Sequence, residues 1–243
     1  MLFPISDDNL PSQGPAYVTW SLLAANVMVF LFQVKNPDFT MGWSMIPYEI
    51  VNGVDLVGDG HVPGPTPIYL TLLSSMFMHG GFLHLGGNML YLWIFADNLE
   101  HVFGRGKFLL FYLGCGLVAS LIQIGLGPEI TVPNLGASGA IAGVLGAYLV
   151  YFPRSRVRVM FFLYFIIRVF SVPAVVVIGV WIAFQLIAGF GSMTYLDSAA
   201  GGIAYGAHIG GFAAGALAAL LMQRSINPPQ SPPPQELRLR GRI

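Results

Sequence analysis

Residues 136–152 read Gly136-A-S-G-A-I-A-G-V-L-G-A-Y-L-V-Y-Phe152, an apolar run that opens on a glycine-rich turn and stops at Pro153 and Arg154. It carries no charge, and Gly139, Gly143 and Gly146 recur along it at steps of four and three residues. In lipid, where apolar side chains gain nothing by leaving the solvent, helices associate where small residues recur in this way and backbones can come close. The stretch reads as a short membrane helix that packs tightly against a partner.

The rest of the 243 residues supports a membrane setting. Hydrophobic residues make up 55% of the chain and charged ones 9%, against roughly 25% charged in soluble domains. A bilayer core is about 30 Å thick and takes about 20 apolar residues as helix. Five further runs approach that length: Tyr17–Val34, Phe82–Phe103, Phe108–Leu126, Val172–Phe190 and Ile203–Met222. The expected fold is therefore all-α, a polytopic transmembrane bundle of six spans. Two other apolar stretches, Pro67–Met78 and Val157–Phe170, are too short or interrupted and are expected to be re-entrant or interfacial. Residues 1–14 read as a short cytoplasmic N-terminus, 15–224 as the membrane domain, and 225–243 as a disordered Pro-rich cytoplasmic tail.

Lys and Arg are retained on the cytoplasmic side of a membrane. Arg105, Lys107, Arg154, Arg156, Arg158, Arg168, Arg224, Arg238, Arg240 and Arg242 fall on one side of the six spans, leaving Lys35 alone on the other. Both termini are accordingly expected in the cytoplasm, in the inner membrane of a bacterial or archaeal cell. Asp7 and Asp8 stand where a basic signal-peptide start would be, which argues against a cleaved leader. With net charge zero and no basic block, nucleic acid is not an expected partner. The single Cys115 lies in an apolar run and reads as a small packing residue.

Polar side chains inside spans are costly and default to functional candidates. His84, Asn88, Ser138 and His208 qualify. Ser138 stands sixteen residues before Arg154, His208 sixteen before Arg224, and Asn88 seventeen before Arg105. At a rise of about 1.5 Å each, all three lie roughly 24–26 Å from the cytoplasmic boundary. Three helices thus bring polar groups to one level near the outer surface. His84 and Asn88 share a helical face. Ala204, Gly211 and Gly215 make a second small-residue stripe around His208 that could meet the first.

A serine hydroxyl becomes a nucleophile when a neighbouring base takes its proton, and neutral imidazole suits that role near pH 7. Ser138 and His208 are the expected catalytic pair. Asn88, His84 and the Ser138 backbone N–H are the expected donors to an oxyanion. Asp97 and Glu100 lie near the cytoplasmic end of their span, so a dyad is expected and not a triad. Gly136–Ala140 lacks the second glycine of a G-x-S-x-G elbow. His79 and His84 are five apart and no H-E-x-x-H occurs, so neither metal nor cofactor is expected.

These residues resemble the rhomboid intramembrane serine proteases. The resemblance rests on His79-G-G-F-L-His84-L-G-G-Asn88, Gly136-A-Ser138-Gly139 and Gly206-A-His208-I-Gly210, with Glu100-H-V-F-Gly104-R-G-K-Phe108 at a cytoplasmic turn, and covers about residues 15–224. It implies that Ser138 is the nucleophile, that His208 is the base and later the acid, and that His84 and Asn88 line the oxyanion hole. His79, Gly136 and Gly139 would shape the site. It further implies transmembrane protein substrates cut in or near helix-destabilising segments, in a cavity open to the outer face and approached beside the fifth span. Two departures stand out. Members often carry an aromatic four residues after the nucleophile, where this chain has Ala142; and Trp43 is followed by Ser44, without the arginine some members have in the first outer loop. Gly191–Gly202 has the small-residue content of a mobile cap and is the expected gate. The alternatives are a non-proteolytic relative that binds membrane clients, and a transporter or channel. The latter would show two related halves, and no internal repeat is visible.

Overall fold

The computed structural model describes residues 2–7, 14–163, 166–193 and 205–223. Six apolar helices build the bundle: α1 (Tyr17–Lys35), α5 (Phe82–Phe103), α6 (Arg105–Leu126), α7 (Ser138–Tyr151), α8 (Ala174–Met193) and α9 (Tyr205–Met222). They coincide with the six expected spans to within a few residues at each end, and the chain is a polytopic helical membrane bundle. α1, α6 and α9 are each long and apolar enough to cross a bilayer. α5 meets that standard together with the bent segment Ile68–Phe77, which joins it at 76°. That segment is the expected re-entrant or interfacial stretch, and contains α4 (Thr71–Ser74) between two short 3-10 turns. Before it, α2 (Pro37–Trp43) and α3 (Pro47–Asn52) fold the loop after α1.

α7 is the central post. It spans only 14 residues, roughly 21 Å of helix, yet every residue from Gly139 to Tyr148 is buried. Its partner is α9, and the contact is backbone on backbone. A methyl group at Gly211 would overlap the carbonyl of Gly139, one at Gly215 the carbonyl of Gly143, and one at Gly146 the carbonyl of Phe212. The Gly139–Gly211 and Gly143–Gly215 contacts advance in step along both helices, so α7 and α9 run parallel in fixed register. On its other side α7 meets α6: a methyl at Gly143 would stand 2.5 Å from Cys115 Cβ, and one at Gly139 2.7 Å from Ala119 Cβ. Cys115 is buried there as a small packing residue, as expected.

Residues 157–170 differ from expectation in form. They belong to a hairpin of β2 (Arg156–Leu163) and β3 (Ile166–Pro173), paired from Arg156↔Pro173 to Leu163↔Ile166. Val157 and Val159 turn inward while Arg158 faces solvent, the two-residue period of a strand. High apolar content hid that period. β1 (Leu2–Asp7) adds antiparallel to β2, so part of the segment read as a short cytoplasmic N-terminus is a strand of this sheet. Asp7 is buried at the end of this strand. Its carboxylate accepts from Asn98 Nδ2 on α5 at 2.6 Å and from the Tyr148 hydroxyl on α7 at 2.5 Å. Glu100 on α5 caps α1 from outside, accepting from the N–H groups of Val18 (3.0 Å) and Thr19 (2.7 Å) and from the Thr19 hydroxyl (2.8 Å). First-turn amides have no partners within their own helix, and a carboxylate there also complements the helix dipole. The proposed tail, 225–243, lies outside the described residues, as does most of the cap segment 191–202.

Replacing Gly146 with leucine forces α7 away from the Phe212 carbonyl of α9. Overpacking of this kind costs on the order of 1–3 kcal/mol, and the separation also disturbs the register. A lower melting temperature in detergent is the expected result, whereas Leu149→Ala on the half-buried face should change it less; equal melting temperatures for wild type and Gly146→Leu would contradict the contact.

Candidate active site

Ser138 is the first residue of α7, so the polypeptide delivers its hydroxyl at a turn and leaves its N–H without an intrahelical acceptor. The turn depends on Gly136, whose φ of 140° lies in a region disfavoured for L side chains. Space forbids a side chain there as well. A methyl on Gly136 would sit 3.1 Å from both Cε1 and Nε2 of His84 and 3.4 Å from the Ser138 hydroxyl. The Gly136 N–H is spent on the Ser75 carbonyl at 2.8 Å, tying the turn to the segment before α5.

The parallel register of α7 and α9 brings His208 to this turn. Its Nε2 lies 2.7 Å from the Ser138 hydroxyl, which is the reach a general base requires. Nδ1 lies 2.7 Å from Oε1 of Gln185 on α8, and the Trp181 ring, on the same face of α8, stands 5.7 Å from the imidazole centroid at 44°. Ala142 is buried on α7, and the group that contacts the imidazole face comes from α8. Neither Trp181 nor Gln185 was singled out in the sequence. Gln185 carried the same signal as Asn88, an amide inside an apolar run.

His84 and Asn88 line a cavity with Ser138 from α5. His84 accepts the Gly80 N–H at Nδ1, 3.3 Å away. Its proton therefore sits on Nε2, the nitrogen directed toward Gly136. Asn88 is buried, and its Nδ2 has no hydrogen-bond partner, a donor held in reserve. His79 does not touch Ser138. It is buried with its ring 5.2 Å from that of His84, edge to face. Its backbone is gripped by Gln33 of α1, whose Oε1 accepts the His79 N–H at 2.9 Å and whose Nε2 donates to the His79 carbonyl at 3.4 Å. That grip, the Ser74 hydroxyl donating to the Trp43 carbonyl at 2.7 Å, and the Met45–Asn134 bridge hold the loop between α1 and α5 without an arginine. Gly139 contributes packing against α6 and α9.

Two cavities meet at Ser138. The larger, about 590 Å³, is lined by His84, Gly136, Ser138 and His208 together with Ser120 and Asn134. The smaller, about 210 Å³, lies between α5, α7 and α8 and is lined by Asn88, Tyr91, Ile141 and Trp181, with His84 and Ser138 shared. A hydroxyl within hydrogen-bond reach of an imidazole, an imidazole held by two further side chains, and the unpaired Asn88 Nδ2 beside an open volume form an arrangement able to carry out acyl transfer.

Comparison with known proteins finds relatives of one family. The family profile of the Rhomboid domain matches residues 68–225. The chain is 30% identical over 222 residues to "Rhomboid protein 1, mitochondrial" of Saccharomyces cerevisiae, covering 87% of this chain and 55% of that protein. It is 32% identical over 154 residues to the human "Presenilin-associated rhomboid-like protein, mitochondrial", covering 62% and 36%. It is 36% identical over 136 residues to "Rhomboid protease GluP" of Bacillus subtilis, covering 56% and 25%. The matches span from a quarter to about half the length of these relatives.

Gly136→Ala combines a disfavoured φ with a close approach to His84, and strain of this kind costs on the order of 1–3 kcal/mol. The variant is expected to melt at lower temperature. Gly106→Ala, at a position with open space around it, is the control; equal melting temperatures for the two variants would contradict the account of the turn.

Proposed function

The chain belongs to the rhomboid family, and we propose that it is an intramembrane serine endopeptidase that hydrolyses peptide bonds in or near the transmembrane segments of other membrane proteins. The observation that carries this reading is the 2.7 Å contact between Ser138 and His208 at a level where the chain also presents unpaired donors.

In the proposed reaction the Ser138 oxygen attacks the scissile carbonyl and its proton passes to His208 Nε2. The negative charge that develops on the carbonyl oxygen is met by Asn88 Nδ2, His84 Nε2–H and the Ser138 N–H. As the tetrahedral intermediate collapses, the imidazolium gives its proton to the departing amine, leaving the acyl group as an ester on Ser138. A water molecule then attacks the ester, again losing its proton to His208, and the second collapse returns that proton to the serine oxygen. A peptide bond within a lipid-embedded helix is shielded by its own hydrogen bonds. Substrates are therefore membrane proteins whose spans unwind readily, with Gly or Pro near the cut.

The distribution of Lys and Arg supports both termini in the cytoplasm, and with it an inner-membrane location in a prokaryotic cell. Fusion of a reporter that folds only on one side to each terminus tests that orientation, and opposite signals would refute it.

A fluorophosphonate probe applied to the detergent-purified protein is expected to label wild type and to leave Ser138→Ala and His208→Ala unlabelled. Cleavage of a model transmembrane substrate should follow the same pattern. Wild-type protein that neither labels nor cleaves would favour a non-proteolytic, client-binding relative. Asn88→Ala is expected to lower kcat by about 10²–10³ fold, the usual loss for one oxyanion donor; an unchanged kcat would remove Asn88 from that role.

A further inference from the structure

We infer that Gln185 is a positioning residue for His208, fixing which imidazole nitrogen carries the proton, so that the base is set for catalysis only while α8 is seated against the bundle. The inference rests on the protease reading and extends it to a residue outside the Ser-His pair.

The imidazole has two nitrogens and, when neutral, one proton. With Gln185 Oε1 at 2.7 Å from Nδ1, the stable arrangement places that proton on Nδ1, donating to the amide oxygen. The lone pair is then on Nε2, 2.7 Å from the Ser138 hydroxyl, ready to accept its proton. In the other tautomer Nδ1 and the amide oxygen would set two lone pairs against each other, and Nε2–H would point at a serine oxygen it cannot deprotonate. Trp181 restrains the plane of the ring from the side. In serine hydrolases that use a third residue, a carboxylate holds the tautomer in this way; a neutral amide does so without bringing a charge into the bundle.

The elements around this contact explain why α8 matters. Trp181 and Gln185 are four residues apart and share a face with Ala174 and Ile178, which are fully buried against the bundle. The remaining described face of α8 is open: Val175, Val176, Val180, Phe184 and Ile187 are all exposed. α8 is thus held by a narrow stripe, half of which is in contact with His208. The 210 Å³ cavity beside it is bounded by Trp181, so whatever displaces α8 outward also withdraws the acceptor from Nδ1.

Three variants and two readouts test this. Gln185→Met keeps the size of the side chain and removes the acceptor; Gln185→Glu, as the carboxylate, offers acceptor oxygens alone; Gln185→Ala removes both the size and the acceptor. With the full chain in detergent, kcat on a transmembrane substrate is expected to fall on the order of ten- to a hundredfold in Gln185→Met and Gln185→Ala, less than loss of a general base costs, with KM changed less than threefold. Gln185→Glu should recover most of the loss. In parallel, nitrogen NMR of histidine-labelled protein, with His208 assigned through its own substitution, should report the proton on Nδ1 in wild type and a mixture of tautomers in Gln185→Met. A wild-type His208 protonated on Nε2, a tautomer unmoved by Gln185→Met, or a kcat equal to wild type in Gln185→Met would overturn the inference. The NMR readout does not depend on activity, so a failure of the protease reading, seen as absent Ser138-dependent labelling, is distinguishable from a failure here.

Discussion

The structure depends on one contact, the meeting of α7 and α9 through hydrogen atoms alone. Where Gly139 and Gly143 face Gly211 and Gly215, carbonyl oxygens of one helix rest against α-carbons of the other. Lipid supplies no hydrophobic drive for helices to associate, so the attraction is dispersion and weak backbone contacts, both steep functions of distance. A single methyl group would separate the helices by enough to lose them. The same steepness makes the register unique, because a slide of one residue would set larger side chains against the opposing backbone. With the register fixed, His208 is carried to Ser138 by helix geometry, and the pair needs no loop to assemble it.

Around that post, three polar clasps set the other elements. Glu100 receives the first amides of α1, Asp7 ties β1 to both α5 and α7, and Gln33 grips the backbone of His79. Each joins segments at least 46 residues apart. Buried polar groups with matched partners add less to stability than to specificity, since any misplacement leaves them unsatisfied in a medium without water. The Gln33 clasp leads toward the site. It fixes His79, whose ring abuts His84, whose proton-bearing nitrogen in turn faces the Gly136 turn. A residue on α1 thereby governs the far wall of the cavity without touching it.

The sequence was legible where a property is local. Hydropathy located five helices at about 20 residues and the shorter α7 beside them, and counting from the arginine that follows each of three helices put Ser138, His208 and Asn88 at one depth, consistent with Ser138 and His208 meeting and with Asn88 and Ser138 lining one cavity. The hairpin was obscured because its strands are so apolar that alternation is masked by composition. Gln185 was missed for a different reason. It is one amide among several in apolar runs, with Asn26, Gln33 and Gln123, and nothing local ties it to His208, 23 residues away on another helix. The clasps were unreadable because each pairs residues far apart in the chain, and no local pattern announces a partner.

The absence of an aromatic at position 142 shifts the restraint of His208 from the best-held helix to the least-held one. An aromatic on α7 would restrain the imidazole from a post that is buried along almost its whole length. Here the restraint comes from Trp181 and Gln185 on α8, which meets the bundle along one narrow stripe and shows apolar side chains to lipid elsewhere. Polar groups on such a helix are costly unless they are paired, so Gln185 gains as much from His208 as the histidine gains from it. Each holds the other in place: withdrawing α8 leaves an amide without its partner in an apolar medium, and restoring the pair returns α8 to its seat. The hydrogen bond that orients His208 thus also helps hold the helix that supplies it.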